Sequence, residues 1–203
     1  MNEYEAKKML KRYGINVPRG ELIEDLSQLK SLDLSYPLVA KVASENILHK
    51  TDVGGVILGI SDGEELRSSV EKLMNKFKAP VLVEEMLKGE IEAIIGVLRD
   101  PSFGHAIMFG LGGIFTEIFK DVTFRVIPIN RKDAESMLED IKGRKILEGY
   151  RGIRVDRESL IDLLLKVSKF VERNPQIEGM DLNPVLLMED GYAVLDAKII
   201  IKR

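Results

Sequence analysis

The 203-residue sequence predicts an α/β protein built as one domain in two lobes, a small α/β lobe over about residues 1–82 and an antiparallel sheet lobe with helices over about 83–203. Three observations lead there. Strand-like and helix-like patterns alternate through the first 80 or so residues. From residue 90 onward, extended apolar runs follow one another with only Asp-Pro and glycine punctuation between them, as successive antiparallel strands do. The chain then closes on two apolar runs around the turn signal EDG, which reads as a β-hairpin.

Each element follows from local pattern. Tyr4 to Tyr13 carries apolar residues at helical spacing and stops at Gly14, a residue suited to a left-handed cap. INVPRGELI reads as a short strand and EDLSQLKSLDL as a helix opening on acidic residues. YPLVAKV, Tyr36 to Val42, suits a strand buried on both faces. GVILGI, DGEELRSSVEKLMNKFK and PVLVEEML then read as strand, helix and strand. In the second lobe, EIEAIIGVLRD, HAIMFGLGG and IFTEIFKDVTFRVIPI are expected as extended runs, with helices at Lys132 to Ile141 and Arg157 to Arg173 before the hairpin. A cleft between the lobes is the natural ligand site.

Composition excludes several function classes. Thirty basic against 33 acidic residues give a net charge of -3, with no block of like charge. That argues against a nucleic-acid or anionic-membrane partner. Without cysteine, disulfides, thiolate metal sites, Fe–S clusters and cysteine nucleophiles are ruled out. The N-terminus is a charged amphipathic helix rather than an apolar leader, and nowhere do about 18 apolar residues run together. The expectation is a soluble cytoplasmic protein.

Two nucleotide signatures fail. HKTD has a Lys-Thr pair without the preceding glycine spacing of a P-loop, and GLGGIF has Phe115 where a dinucleotide fingerprint needs its third glycine. His49 and Asp52 are close in sequence, but no serine sits in a nucleophile elbow. The terminal hairpin carries more. A period of two puts Asp181 and Asn183 on one face of its first strand and Asp196 and Lys198 on one face of its second. With the turn near Glu189 to Gly191, Asn183 and Asp196 lie opposite each other. Two oxygen ligands without His or Cys suit Mg²⁺, which shares phosphate oxygens with a nucleotide, although outward polar residues on a hairpin would look the same. In VLVEEMLKGEIEAIIG, a strand running into Glu84 and Glu85, a break at Lys88-Gly89 and a new strand with Glu92 could form a purine hinge or a plain solvated edge. Lys41, closing an apolar strand, either snorkels to water or aims its ammonium at phosphate.

YPLVAKVAS, ILHKTDVGGV, VEEMLKGEIEAIIGV, DPSFGHAIMFGLGGIFTEIFKDVTFRVIPI, LEGYRG and MDLNP, in this order, resemble the ATP-grasp domain of NDP-forming acyl-CoA synthetases. The sequence is similar in particular to the separate β subunits of archaeal ADP-forming acetyl-CoA synthetases, over about Tyr4 to Ile201. The resemblance implies an ATP-grasp fold and the reaction acyl-CoA + ADP + phosphate ⇌ acid + CoA + ATP. It also implies ATP/ADP and Mg²⁺ as ligands and a CoA-binding α subunit as partner, in an α2β2-type hetero-oligomer. By the same resemblance, His49 would relay a phosphoryl group between a phosphohistidine of the partner and ADP. Lys41 would contact nucleotide phosphate, Glu84 and Leu87 the adenine hinge, Glu92 the ribose, and Asn183 with Asp196 the metal. Lys50, Gly54 and Gly55 would form the phosphate loop, and Glu117, Arg125 and Asp181 are possible cleft residues. The chemistry suits the residues: a neutral imidazole is a nucleophile near pH 7, lysines offset phosphoryl charge, and glycines admit phosphate to the backbone. His105, where relatives often have Pro, is expected as a surface variant, and Glu178 on the strand face opposite Gly179. The alternatives are an ATP-grasp carboxylate–amine ligase and a non-catalytic nucleotide-sensing or assembly subunit.

Overall fold

The computed structural model describes residues 1–44, 47, 50–113, 116, 118 and 120–202. The chain divides into two compact units: Asn2–Glu5 with Pro18–Leu87, and Met1 with Ala6–Val17 and Lys88–Arg203. The boundary thus falls after Leu87 rather than near residue 82, and Ala6–Val17 groups with the C-terminal half. The reason is packing: Ala6, Leu10 and Ile15 are buried in the hydrophobic cluster built by residues 93–199.

The smaller unit is a four-stranded sheet. Helix α1 (Glu3–Arg12) contributes its first turn; β1 (Gly20–Ile23), a 3-10 helix (Leu26–Ser31), β2 (Leu38–Val42), β3 (Val56–Ile60), α2 (Gly63–Phe77) and β4 (Val81–Glu85) follow. The sheet order is β1-β4-β2-β3, and every pairing is antiparallel. EDLSQLKSLDL forms only six residues of 3-10 helix, closed by a capping box between Asp25 and Gln28. INVPRGELI is a strand only in its last four residues. Helix α2 starts where Asp62 accepts the amides of Glu64 and Glu65, and it buries Leu66, Ser69, Val70 and Leu73 at helical spacing. Those residues pack on Ile23, Leu38, Ala40, Ile60, Val81 and Val83, one face of the sheet. Alternation along β2 then turns Val39 and Lys41 to the other face.

The larger unit is a six-stranded sheet: β5 (Ile91–Asp100), β6 (Gly104–Leu111), β7 (Val122–Val126), β8 (Ile177–Met188), β9 (Gly191–Val194) and β10 (Ala197–Ile201). The order is β10-β8-β5-β6-β7, with β9 also on β8. Helices α3 (Arg131–Asp140), α4 (Arg144–Leu147) and α5 (Arg157–Glu172), with a 3-10 turn at Tyr150–Gly152, occupy the stretch before β8. Helix α5 buries Leu160, Leu163, Leu164, Val167, Phe170 and Val171 in one cluster with Ala93, Ile95 and Val97 of β5 and Ile107, Phe109 and Leu111 of β6. In the run expected to be extended from Ile114 to Ile129, Ile114, Phe115, Glu117 and Phe119 lie outside the described residues, and the described strand is Val122–Val126. Just before it, the buried Asp121 accepts the backbone N–H groups of Lys142 (2.7 Å) and Gly143 (2.7 Å), anchoring the strand to the start of α4. Among the described residues, no helix is long and apolar enough to cross a membrane.

Candidate active site

The smaller unit concentrates buried charge. Lys41 is 9% exposed, Glu84 2% and Glu3 4%. The Lys41 ammonium lies 3.0 Å from Glu3 Oε1 and 2.9 Å from Glu84 Oε2, and the other oxygen of Glu3 meets the ammonium of Lys50. Sheet register explains the contact with Glu84. Val39 faces Glu84 and Lys41 faces Leu82 across the β2–β4 pair, so Glu84 and Lys41 are diagonal neighbours on one face. Glu84 finds its space because its partner on β1 is Gly20, where a Cβ would come within 2.6 Å of the Glu84 side chain. A buried ammonium flanked by carboxylates is held in place, since leaving either sign alone in a low-dielectric setting is costly. Of the two readings left open for Lys41, the structure therefore excludes simple snorkelling to water.

The loop after β2 is shaped by its own backbone. The amide of Gly54 donates to Thr51 O (3.0 Å), that of Gly55 donates to Lys50 O (2.6 Å), and Gly55 O accepts from Val42 N (2.9 Å). Gly54 has φ +69°, and a Cβ at Gly55 would lie 2.7 Å from Val42 and 3.0 Å from the Lys50 carbonyl. The glycine pair is thus required to close the turn that carries Lys50. His49 lies outside the described residues, as does Glu117.

The adenine-hinge candidates sit at the end of β4. Glu84 faces Lys41 rather than a strand end, while Leu87 is half-buried beyond the strand, where Met86 N still donates to Pro37 O (2.9 Å). Glu92 is exposed on β5, and its carbonyl accepts from Gly112 N (2.7 Å).

In the larger unit, the hairpin places Asn183 and Asp196 as the sequence pattern expects. Val185 pairs Val194 and Leu182 pairs Ala197, so Asn183 and Asp196 are directly opposed, and Asn183 N donates to Asp196 O at 3.2 Å. Asp181 pairs Lys198 on the same strands. The β5–β8 register shifts between Ala93 and Ile95, beside Asn183-Pro184, a bulge of the kind that re-aims a side chain. Desolvation raises the Asp181 carboxyl above the usual aspartate value, helped by the charge of Asp196 and opposed by Lys198. The backbone register thus sets an amide oxygen and a carboxylate opposite each other, a hard-oxygen pair of the chemistry Mg²⁺ prefers, while among the described residues no group of three or more His or acidic side chains is gathered for a metal. Lys7, in α1, supports the hairpin by donating to Leu195 O at 2.7 Å.

Other candidates have local partners. Arg125 bonds Ser136 and Asp140 of α3 and the Phe124 carbonyl, which accounts for it as an anchor of β7 to α3. Glu178 pairs with Arg99 at 2.7 Å. His105 is half-buried, with Nε2 2.6 Å from Ile177 O, so it joins strands rather than decorating the surface. Sequence reasoning missed Glu3 and Gly20. An acid in a helix's first turn reads as a partner for the helix dipole, and no local signal marks it as the counter-ion of a distant lysine.

A protein-family model described as an ATP-grasp domain matches residues 1–201. Over 216 aligned positions the chain is 47% identical to the β subunit of acetate–CoA ligase [ADP-forming] II of Pyrococcus furiosus, covering 100% of this chain and 92% of that subunit. The chain belongs to the ATP-grasp β subunits of ADP-forming acetate–CoA ligases. This ATP-grasp chain is also 44% identical to acetate–CoA ligase [ADP-forming] II of Archaeoglobus fulgidus, where it covers 98% of its own length but 30% of that longer protein. Its fold superimposes, at a TM-score of 0.87 and 41% identity, on the acetyl-coenzyme A synthetase 1 of Ca. Korarchaeum cryptofilum, covering 98% of this chain and 92% of that one. That structure is described as a complex with coenzyme A and Mg-AMPPCP, its phosphohistidine segment pointing towards the nucleotide binding site.

Proposed function

We propose that this chain is the nucleotide-handling subunit of an ADP-forming acyl-CoA synthetase, working in the cytoplasm with a CoA-binding α subunit in a hetero-oligomer of α2β2 type. The observation that carries this reading is the end-to-end kinship with a chain that is itself a separate β subunit. The α subunit turns acyl-CoA and phosphate into acyl phosphate and CoA, and the phosphoryl group then passes through histidine to ADP, with His49 as the relay on this chain. In the last transfer the N–P bond of phosphohistidine breaks as a terminal oxygen of ADP bonds to phosphorus, restoring the imidazole lone pair.

Lys41 and Lys50 offset the charge of the transferring group and of the nucleotide phosphates, which is most of what phosphoryl transfer asks of a protein. Leu87 lines the adenine hinge at the end of β4, Glu84 acts there through its contact with Lys41, and Glu92 accepts from ribose hydroxyls. Asn183 and Asp196 hold Mg²⁺, with Asp181 beside them. When bound, Mg²⁺ neutralises phosphate charge and aligns the oxygens for in-line transfer. Gly54 and Gly55 shape the loop that carries Lys50.

The test is reconstitution. The purified chain should bind ADP with Mg²⁺ and form no acyl-CoA until the CoA-binding subunit is added. Acetyl-CoA made from acetate, CoA and ATP by this chain alone would overturn the division of labour. In the complex, His49→Ala should abolish acyl-CoA formation while leaving ADP binding intact, and full activity in that variant would remove the relay role.

A further inference from the structure

We infer that Glu3 is a positioning residue for phosphoryl transfer: its single carboxylate spans the ammonium groups of Lys41 and Lys50 and sets their spacing. This rests on the proposed role of the two lysines at phosphate. The geometry is specific. Glu3 Oε1 takes Lys41 at 3.0 Å and Oε2 takes Lys50, so one planar group joins a strand residue to a loop residue. Its side chain is 1% exposed, against 11% for Lys41 and 13% for Lys50. Glu3 is therefore the most buried side chain of the three.

A buried acid at this depth persists only when its charge is met, and here two cations meet it from different elements. Glu84, seated over Gly20, holds Lys41 from the opposite side at 2.9 Å. Lys41 is thus clamped by two carboxylates, while Lys50, on the turn closed by Gly54 and Gly55, is tied to the strand through Glu3. A carboxylate with one ammonium on each oxygen fixes the two lysines relative to each other. Glu3 accordingly preorganises the pair before nucleotide arrives, and preorganised charge needs little rearrangement during the reaction.

Three variants of the reconstituted complex test this: Glu3→Gln, Glu3→Asp and Lys50→Met, with the Glu3→Gln/Lys50→Met double variant closing a cycle. Gln keeps the shape and loses the charge; Asp keeps the charge and is one methylene too short to span both lysines. Each single variant should lower kcat for ATP formation by on the order of 100-fold, the scale of a misplaced reacting group, while KM for ADP moves far less. The double variant should be no worse than the poorer single one, because both remove the same bridge. Melting curves establish that the variants are folded. A folded Glu3→Gln or Glu3→Asp enzyme with kcat within about twofold of the unaltered complex overturns the inference, as does full additivity in the cycle. If neither Glu3 variant folds, the residue is structural and the inference also fails. An unaltered complex with no phosphoryl transfer to ADP would instead sink the functional proposal beneath it.

Discussion

The smaller unit encloses its candidate site charges, whereas the larger one displays most of its own. Glu3, Lys41 and Glu84 are buried together, each meeting an opposite charge on a different element. Asn183 and Lys198 stand exposed on neighbouring strands, Asp181 is exposed as a residue although its carboxyl is partly desolvated, and Asp196 is half-buried. Burying charge demands partners from far along the chain, because desolvation must be offset by contact. Displaying it on a hairpin demands only register, which the pleat and a two-residue turn supply. The first arrangement couples lysine geometry to folding of the whole unit, and the second depends on the local register of neighbouring strands.

The comparison predicts where substitutions will hurt. Lys41→Met should be the most damaging to stability, by about 3–5 kcal/mol in chemical denaturation, because it removes the ammonium that both buried carboxylates meet. Asp196→Ala should do the reverse: folding stays close to that of the unaltered chain, while the Mg²⁺-dependent phosphoryl-transfer rate of the complex falls by roughly 100-fold. Equal losses of stability in the two variants would erase the distinction between the units. Gly20→Ala should cost about 1–3 kcal/mol, since its Cβ would meet the Glu84 side chain at 2.6 Å and the Val83 carbonyl at 2.8 Å. Denaturation paired with ADP titration would reveal whether displacing Glu84 also disturbs Lys41.

The smallest effect lies away from both charge sets. Asp156 caps α5 by accepting from Ser159 N at 3.0 Å, and the Ser159 hydroxyl also donates to it. That bonding, the hydroxyl contact first, holds its carboxyl below the usual aspartate value. Asp156→Ala should cost about 1 kcal/mol. The sign follows from the depressed value: the contribution is complete above the unfolded-state pKa, about 3.9, and is lost as pH falls through the folded value. Stability curves of the two proteins should therefore be separated at neutral pH and converge in acid. A gap that persisted at low pH would assign the effect to packing instead.

The hairpin was legible because its message is local. Period-two alternation, the EDG turn and the fixed count between Asn183 and Asp196 determine who faces whom before any tertiary contact forms, and the described register agrees. The helices expected at Lys132 to Ile141 and Arg157 to Arg173 were legible for similar reasons, and they are found at Arg131–Asp140 and Arg157–Glu172. Two stretches misled. IFTEIFKDVTFRVIPI looks continuously extended, yet its described strand is only Val122–Val126, which follows Asp121, whose two backbone bonds come from Lys142 and Gly143. EDLSQLKSLDL has the composition of a helix and closes after six residues of 3-10 turn.

By itself the sequence determined most of the strand and helix order, the facing of the terminal hairpin and the concentration of Lys, Gly and Asp after β2, because periodicity and turn chemistry act between near neighbours. Tertiary structure alone decided that Ala6–Val17 joins the C-terminal core, that Arg125 is claimed by α3, and that an N-terminal glutamate sits between Lys41 and Lys50. Those outcomes depend on which distant groups can offset one another's desolvation, and that is settled only when the chain has brought them into contact.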